Sequence, residues 1–93
     1  MEAKIFRVVQ KDEPETITTK KGEMMKKSRI ILKEDESEFC DQFVCAMFGP
    51  ACDNTYEPGD LVLAKLQFLD HQFQGNHYPE IYARSLVKIA VGF

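Results

Sequence analysis

Five cations, Lys20, Lys21, Lys26, Lys27 and Arg29, fall within ten residues in the first third of the chain, and four rings, Phe73, His77, Tyr78 and Tyr82, gather in the last third. Clustered ammonium and guanidinium groups can hold a polyanion even on a molecule that is acidic as a whole. Flat side chains offer stacking platforms, each worth about 1–3 kcal/mol per stacked base. The two sets together meet the two needs of single-strand binding, a positive track for the backbone and rings for the bases. Each set also has a plainer role. Lysines solvate long hairpins, and Phe73 and Tyr78 can pin a hairpin's register by pairing across strands. Tyr82 suits an oligomer interface, and His77 a polar turn.

Other chemistries find little in the residues. There is no glycine-rich phosphate loop, no HExxH and no Ser/His/Asp ordering. The acids from Glu34 to Glu38 read as a solvated turn rather than as a tuned carboxylate pair. Cys40 beside Asp41 has no basic activator close in sequence. Three cysteines, Cys40, Cys45 and Cys52, form an odd set without CxxC, and two histidines, His71 and His77, complete the supply of soft ligands. Structural thiols are therefore expected in place of a metal site or disulfide, Cys45 most clearly because it lies in the apolar run FVCAMF. No enzyme, no metal and no cofactor is expected.

The 93 residues, 44% hydrophobic and 29% charged, suit one globular domain spanning 1–93. The net charge of -3 excludes a protein that coats nucleic acid by bulk electrostatics. The chain is nevertheless polarised, a basic segment up to Arg29 being followed by acids from Glu34. No stretch is long enough to span a bilayer, and the start MEAKIFRVVQKDE has too short an apolar run for a signal peptide, so a cytoplasmic location without membrane contact is expected.

The rings and cations must be carried by strands. A first strand is predicted from Lys4 to Gln10, and the polar stretch KDEPETITTKKGE then forms a long loop or exposed hairpin extension. Over Met24 to Lys33 the period of two puts Ser28, Ile30 and Leu32 on one face, and Lys27, Arg29, Ile31 and Lys33 on the other. A third strand runs from Phe39 to Phe48 and stops at Gly49-Pro50, and Pro58-Gly59-Asp60 launches the fourth. There Val62, Ala64, Leu66 and Phe68 face the core. After a turn around Gly75-Asn76 the fifth strand reaches Ile89, with Ile81, Ala83, Ser85, Val87 and Ile89 on one face and Tyr78, Glu80, Tyr82 and Arg84 on the other. Pro79 lacks an amide and belongs at an edge or bulge. Five strands, with a short helix or turn between the third and fourth, favour an all-β, five-stranded OB-fold barrel.

The succession GEMMKKSRIIL, FVCAMFGPACD, EPGDLVLAKLQF and FQGNHYPEIYAR resembles a family of small, uncharacterised bacterial proteins related to single-stranded DNA-binding OB-folds. The matching positions are Gly22 with Lys26 and Lys27, Phe48 with Gly49, Gly59 with Asp60, and the hairpin residues Phe73, Gly75, Asn76, His77 and Tyr78. The likeness runs from about Ile5 to Ile89. The chain departs from the family where Met24 or Met25 stands for an aromatic, His77 for a tryptophan and Asn76 for an arginine. The resemblance implies a non-enzymatic protein that binds single-stranded DNA or RNA with little sequence preference. It also implies a homo-oligomer, dimer or tetramer, to which the outward Leu61 and Leu63 would contribute. The competing expectation is an OB-fold assembly subunit that uses its outward aromatics against another polypeptide.

Overall fold

The computed structural model describes residues 3–34 and 41–90. Alternating β-branched and aromatic residues build six strands: β1 (Lys4–Lys11), β2 (Glu15–Thr18), β3 (Met24–Lys33), β4 (Gln42–Phe48), β5 (Leu61–Phe73) and β6 (Asn76–Ala90). A 3-10 turn, η1 (Gly49–Asp53), follows β4, where a turn or short helix is expected. The five expected strands are β1, β3, β4, β5 and β6. β2 is the hairpin extension, zipped to β3 from Glu15 opposite Lys27 to Thr18 opposite Met24. The acidic turn, past Glu34, and Cys40 lie outside the described residues. Among the described residues no helix is long and apolar enough to cross a membrane.

The fold is all-β, and five of its strands close into a ring in the order β1-β5-β6-β4-β3 and back to β1. Closure depends on β1 having two partners. Its first half pairs with β5 from Lys4 opposite Ala64 to Arg7 opposite Leu61, and its second half pairs with β3 from Arg7 opposite Lys33 to Lys11 opposite Ile30. The ladder with β3 steps from Val8 opposite Leu32 to Gln10 opposite Ile31, leaving Val9 as an extra residue. Such a bulge bends and twists a strand, which lets β1 leave one neighbour for the other. The remaining join is short and parallel, Cys45 opposite Ile81 and Ala46 opposite Tyr82 of β4 and β6.

Inside the ring lie Phe6, Val8, Ile30, Leu32, Cys45, Met47, Val62, Ala64 and Leu66, with Cys52 and Tyr56 closing one end. Phe6 meets Phe43 edge to face at 6.0 Å. Full burial of each large aliphatic or aromatic side chain contributes about 1.5–3 kcal/mol, so this cluster is the main source of stability. The one buried acid, among the described residues, is Asp60 in the corner that launches β5. Its carboxylate accepts the Glu57 amide at 2.9 Å and meets Lys88 Nζ at 3.2 Å. Gly59 takes φ +94° there, a left-handed value that favours glycine. Around it, Val8 exchanges backbone hydrogen bonds of 2.8 Å with Gly59 and Asp60, tying the corner to the bulge in β1.

Strict alternation fails at two places. Phe68 has the parity of Leu66 but is 55% exposed, because β5 has by then outrun its β1 partner and left the ring. On β6, Ile81 and Ala83 pack on the core as expected, but Ser85, Val87 and Ile89 do not; Leu86 takes the inward place. Ser85 has φ +51°, and the pairing steps from Lys65 opposite Arg84 to Leu63 opposite Val87, one residue longer on β6. That added residue turns the side chains from Leu86 to Lys88 to the opposite face, and a second step, from Val62 opposite Lys88 to Leu61 opposite Ala90, adds another residue near the end of the strand.

Beyond the ring, β5 and β6 continue as a two-stranded arm closed by Phe73 opposite Asn76. The connecting Gln74 and Gly75 have φ of +52° and +80°, the left-handed pair that a two-residue type I′ turn demands. Pro79 sits on the arm opposite Asp70, where β6 has β5 as its one strand neighbour, so its missing amide leaves no ladder bond unmade.

The parity change gives a direct test. Leu86→Ala should lower unfolding free energy in urea by about 2 kcal/mol and Val87→Ala by less than about 0.5 kcal/mol. The reverse order would place the bulge elsewhere.

Candidate nucleic-acid interface

An open groove of about 970 Å³ crosses the outer face of β3 and β4. One wall is the start of the β1–β2 extension, at Asp12, Glu13 and Glu15, and the other is the arm, at Phe68, Leu69 and Tyr78 to Ile81. The floor carries Lys27 and Arg29 from β3 and Val44 and Ala46 from β4. The period of two explains the floor. Ser28, Ile30 and Leu32 are buried, which turns Lys27 and Arg29 outward together. The arm wall exists because the β4–β6 ladder begins at Ile81, so Tyr78 to Glu80 are paired with β5 and leave their other edge free of strand pairing.

The predicted site residues divide. Lys27, Arg29 and Tyr78 share the groove, Tyr78 being 51% exposed. Tyr82 stands at the root of the arm with its ring already engaged: Phe48 at 5.0 Å edge to face, the Arg84 guanidinium at 5.1 Å, and His71 Nε2 at 3.1 Å from its hydroxyl. Lys26 points the other way and grips Asp53 at 2.7 Å, beside η1. Lys20 and Lys21 are exposed at the β2–β3 turn, which is closed by Thr19 and by Gly22 at φ +83°. Phe73 is exposed at the arm's tip. His77 lies on the opposite face of the arm from Phe73 and Tyr78, with Nδ1 2.6 Å from Asp70 Oδ2. The structure thus gathers two cations and one ring in the groove, sets one ring at its edge, and leaves the other five predicted residues on neighbouring surfaces.

Several groove residues escaped the pattern reading. Phe68 counted as core by parity, and its exposure follows only from where the ring ends. Val44 is 52% exposed on the floor. The acids of the walls matter most. Arg29 donates to Asp12 Oδ2 through Nε at 2.7 Å and Nη2 at 2.6 Å, and Lys27 Nζ stands 3.5 Å from Glu80 Oε1 and 5.5 Å over the Phe48 ring. Glu80 could have been found from its place between Tyr78 and Tyr82 on one face. The hydrogen bond from Gln10, with the charge and hydrogen bond of Arg29 adding to it, holds the Asp12 carboxyl below its ordinary value against opposing desolvation.

Compared with known proteins, the chain matches no family model and no curated sequence. The reading of the groove therefore rests on its geometry.

Behind the floor, Cys45 is buried, and its Sγ contacts the Phe43 carbonyl at 3.5 Å. Burial pushes its thiol up to about 11. The unfolded thiol ionises near 9.0, so this contribution to stability is complete below that pH and is lost as pH rises towards 11. Alkylation of Cys45 by iodoacetamide, mapped by mass spectrometry, should accordingly be slow at pH 8 in the folded protein and fast in urea. Rapid labelling of the native state would contradict this burial.

Proposed function

We infer that the protein is a non-enzymatic OB-fold barrel that binds single-stranded nucleic acid along this groove, with little sequence preference. The observation that carries the reading is the joint placement of Lys27 and Arg29 beside the exposed rings of Tyr78 and Phe68 in one open groove between two projecting hairpins. Cations on the floor can track a backbone while rings on the wall stack bases. The strand order β1-β3-β4-β6-β5, with a parallel β4–β6 join and a short turn between β4 and β5, supports the OB-fold assignment. Lys20 and Lys21 extend the positive track along one hairpin, and Phe73 extends the stacking surface along the other. The reading includes a cytoplasmic homo-oligomer. Ile5, Leu63 and Val87, aligned across β1, β5 and β6 on the outer face, offer an apolar row for self-association.

A second reading, a protein-interaction subunit, draws on the acids. Asp12, Glu13, Glu15 and Glu80 outnumber the groove's two cations, which favours a basic or apolar polypeptide over a polyanion. Pro79 weighs against the commonest form of that reading, since it removes an amide from the free edge to which an extended peptide would add.

Fluorescence anisotropy of a labelled oligo-thymidine separates the two. Contacts by Lys20, Lys21, Lys27 and Arg29 predict a log-log salt slope of about -3, from about -0.7 per phosphate on a single strand. Lys27→Glu should weaken binding more than Lys26→Glu. Phe73→Ala and Tyr78→Ala should each cost about 1–3 kcal/mol of binding if the rings stack bases, and should lower the melting temperature first if they only staple the arm. No binding at low salt with protein on the order of tens of micromolar, a range that reaches ordinary non-specific affinities, would rule the nucleic-acid reading out.

A further inference from the structure

Both groove cations are occupied by carboxylates, and the two carboxylates come from opposite walls. Asp12 arrives from the β1–β2 extension and Glu80 from the arm. Asp12 is held in place independently of its ion pair: Gln10 Nε2 donates to its other oxygen at 2.9 Å, its amide donates to the Arg29 carbonyl at 2.9 Å, and its carbonyl accepts Ser28 Oγ at 2.7 Å. Glu80 is likewise shared, one oxygen near Lys27 and the other 3.2 Å from His71 Nε2. Lys27 and Arg29 are two residues apart on one face of a strand, about 6.6 Å at the usual rise, and so present two successive cationic stations along the groove.

A carboxylate and a phosphate present the same feature to these donors, anionic oxygens that accept charge-assisted hydrogen bonds from a guanidinium fork or an ammonium. The two pairs are also partly open to water, Arg29 the most, and ion pairs that solvent reaches hold weakly enough to be exchanged. We propose that Asp12 and Glu80 occupy phosphate positions on Arg29 and Lys27, so that a single strand enters the groove by displacing them with its own phosphates. The proposal rests on the single-strand reading above. It makes the two acids an autoinhibitory gate that sets affinity through groove occupancy, separately from the net charge of the molecule. The lowered carboxyl of Asp12 keeps that competitor ionised throughout the neutral range.

Asp12→Asn and Glu80→Gln remove each charge while keeping side-chain size and one acceptor oxygen, which at Asp12 can still receive Gln10. Two controls carry the same change in net charge. Asp53→Asn releases Lys26, which lies outside the groove, and Glu13→Gln removes a wall acid that forms no ion pair with Lys27 or Arg29 among the described residues. In oligo-thymidine anisotropy at low salt, Asp12→Asn and Glu80→Gln should each tighten binding about fivefold, the upper end of what an exposed ion pair contributes, and the controls by less than about twofold. The double variant should keep the log-log salt slope near about -3, because Lys27 and Arg29 reach phosphate in both proteins, and its gain should vanish on a Lys27→Gln/Arg29→Gln background, an outcome that a merely structural role for the acids would not produce. Circular dichroism melts accompany each variant, and Glu80→Gln alone carries the test if loss of the Asp12 charge loosens the β1–β2 turn. Equal gains in all four single variants, or no gain at Asp12 and Glu80 when the wild type binds, would overturn the gate and leave the single-strand reading standing. Binding by none of the proteins would overturn both.

Discussion

The fold depends on β1 serving two neighbours. A sheet of short strands exposes unpaired amides and carbonyls at its two edges, and joining those edges removes the problem. Here the join is made by one strand that pairs with β5 along its first half and with β3 along its second. The bulge at Val9 supplies the bend, and the Gly59-Asp60 corner, hydrogen-bonded on both sides of Val8, fixes where the bend falls. The buried Asp60 is satisfied within this same corner and is tied to β6 through Lys88. Removing one partner of a buried charge is far more damaging than removing an exposed pair. The corner therefore couples the opening of β5, the bend of β1 and the end of β6 in one place.

Everything on the groove face follows from how the ring is closed elsewhere. Because β4 pairs with β6 at Ile81 and Tyr82, the residues of β6 before Ile81 are left to run with β5 as an arm. Because β3 buries its even-numbered residues from Ser28 to Leu32, its odd-numbered cations face the gap that the arm leaves. The β1–β2 extension rises on the other side. The groove is thus a space between two departures from the ring, its floor on the ring and its walls on the segments that leave it. Its electrostatics are internally compensated, each floor cation being met by an acid from a different wall. A surface built this way has a weaker external field than its count of lysines and arginines suggests.

Much of the fold was legible in the sequence because the signals were local. Gly-Pro after Phe48, Pro-Gly-Asp before Leu61 and the glycine at position 75 mark real chain reversals, and alternation located the buried faces of β3 and of β5 as far as Leu66. The failures share one physical cause. Parity along a strand gives a face but not its neighbours, so Phe68 read as core although β5 had already left the ring. Ser85 is an ordinary residue whose left-handed backbone comes from its place in the sheet. The site was legible in part for a related reason. Lys27, Arg29 and Tyr78 could be put on outward faces one strand at a time, but pairing Arg29 with Asp12, or Lys27 with Glu80, requires knowing which strands become neighbours.

The bulge at Ser85 divides β6 into two lengths with separate duties. Residues before it present Tyr78, Glu80 and Tyr82 outward while Ile81 and Ala83 reach the core, and residues after it present Val87 and Ile89 outward while Leu86 turns in. Without the extra residue, a single alternation would govern the strand from the arm to Lys88, and any change that re-aimed the arm would re-aim this part of the core with it. With it, the two halves can drift independently. Arm length, ring identity and wall charge become variables that a descendant of this sequence can explore while the closed ring stays as it is.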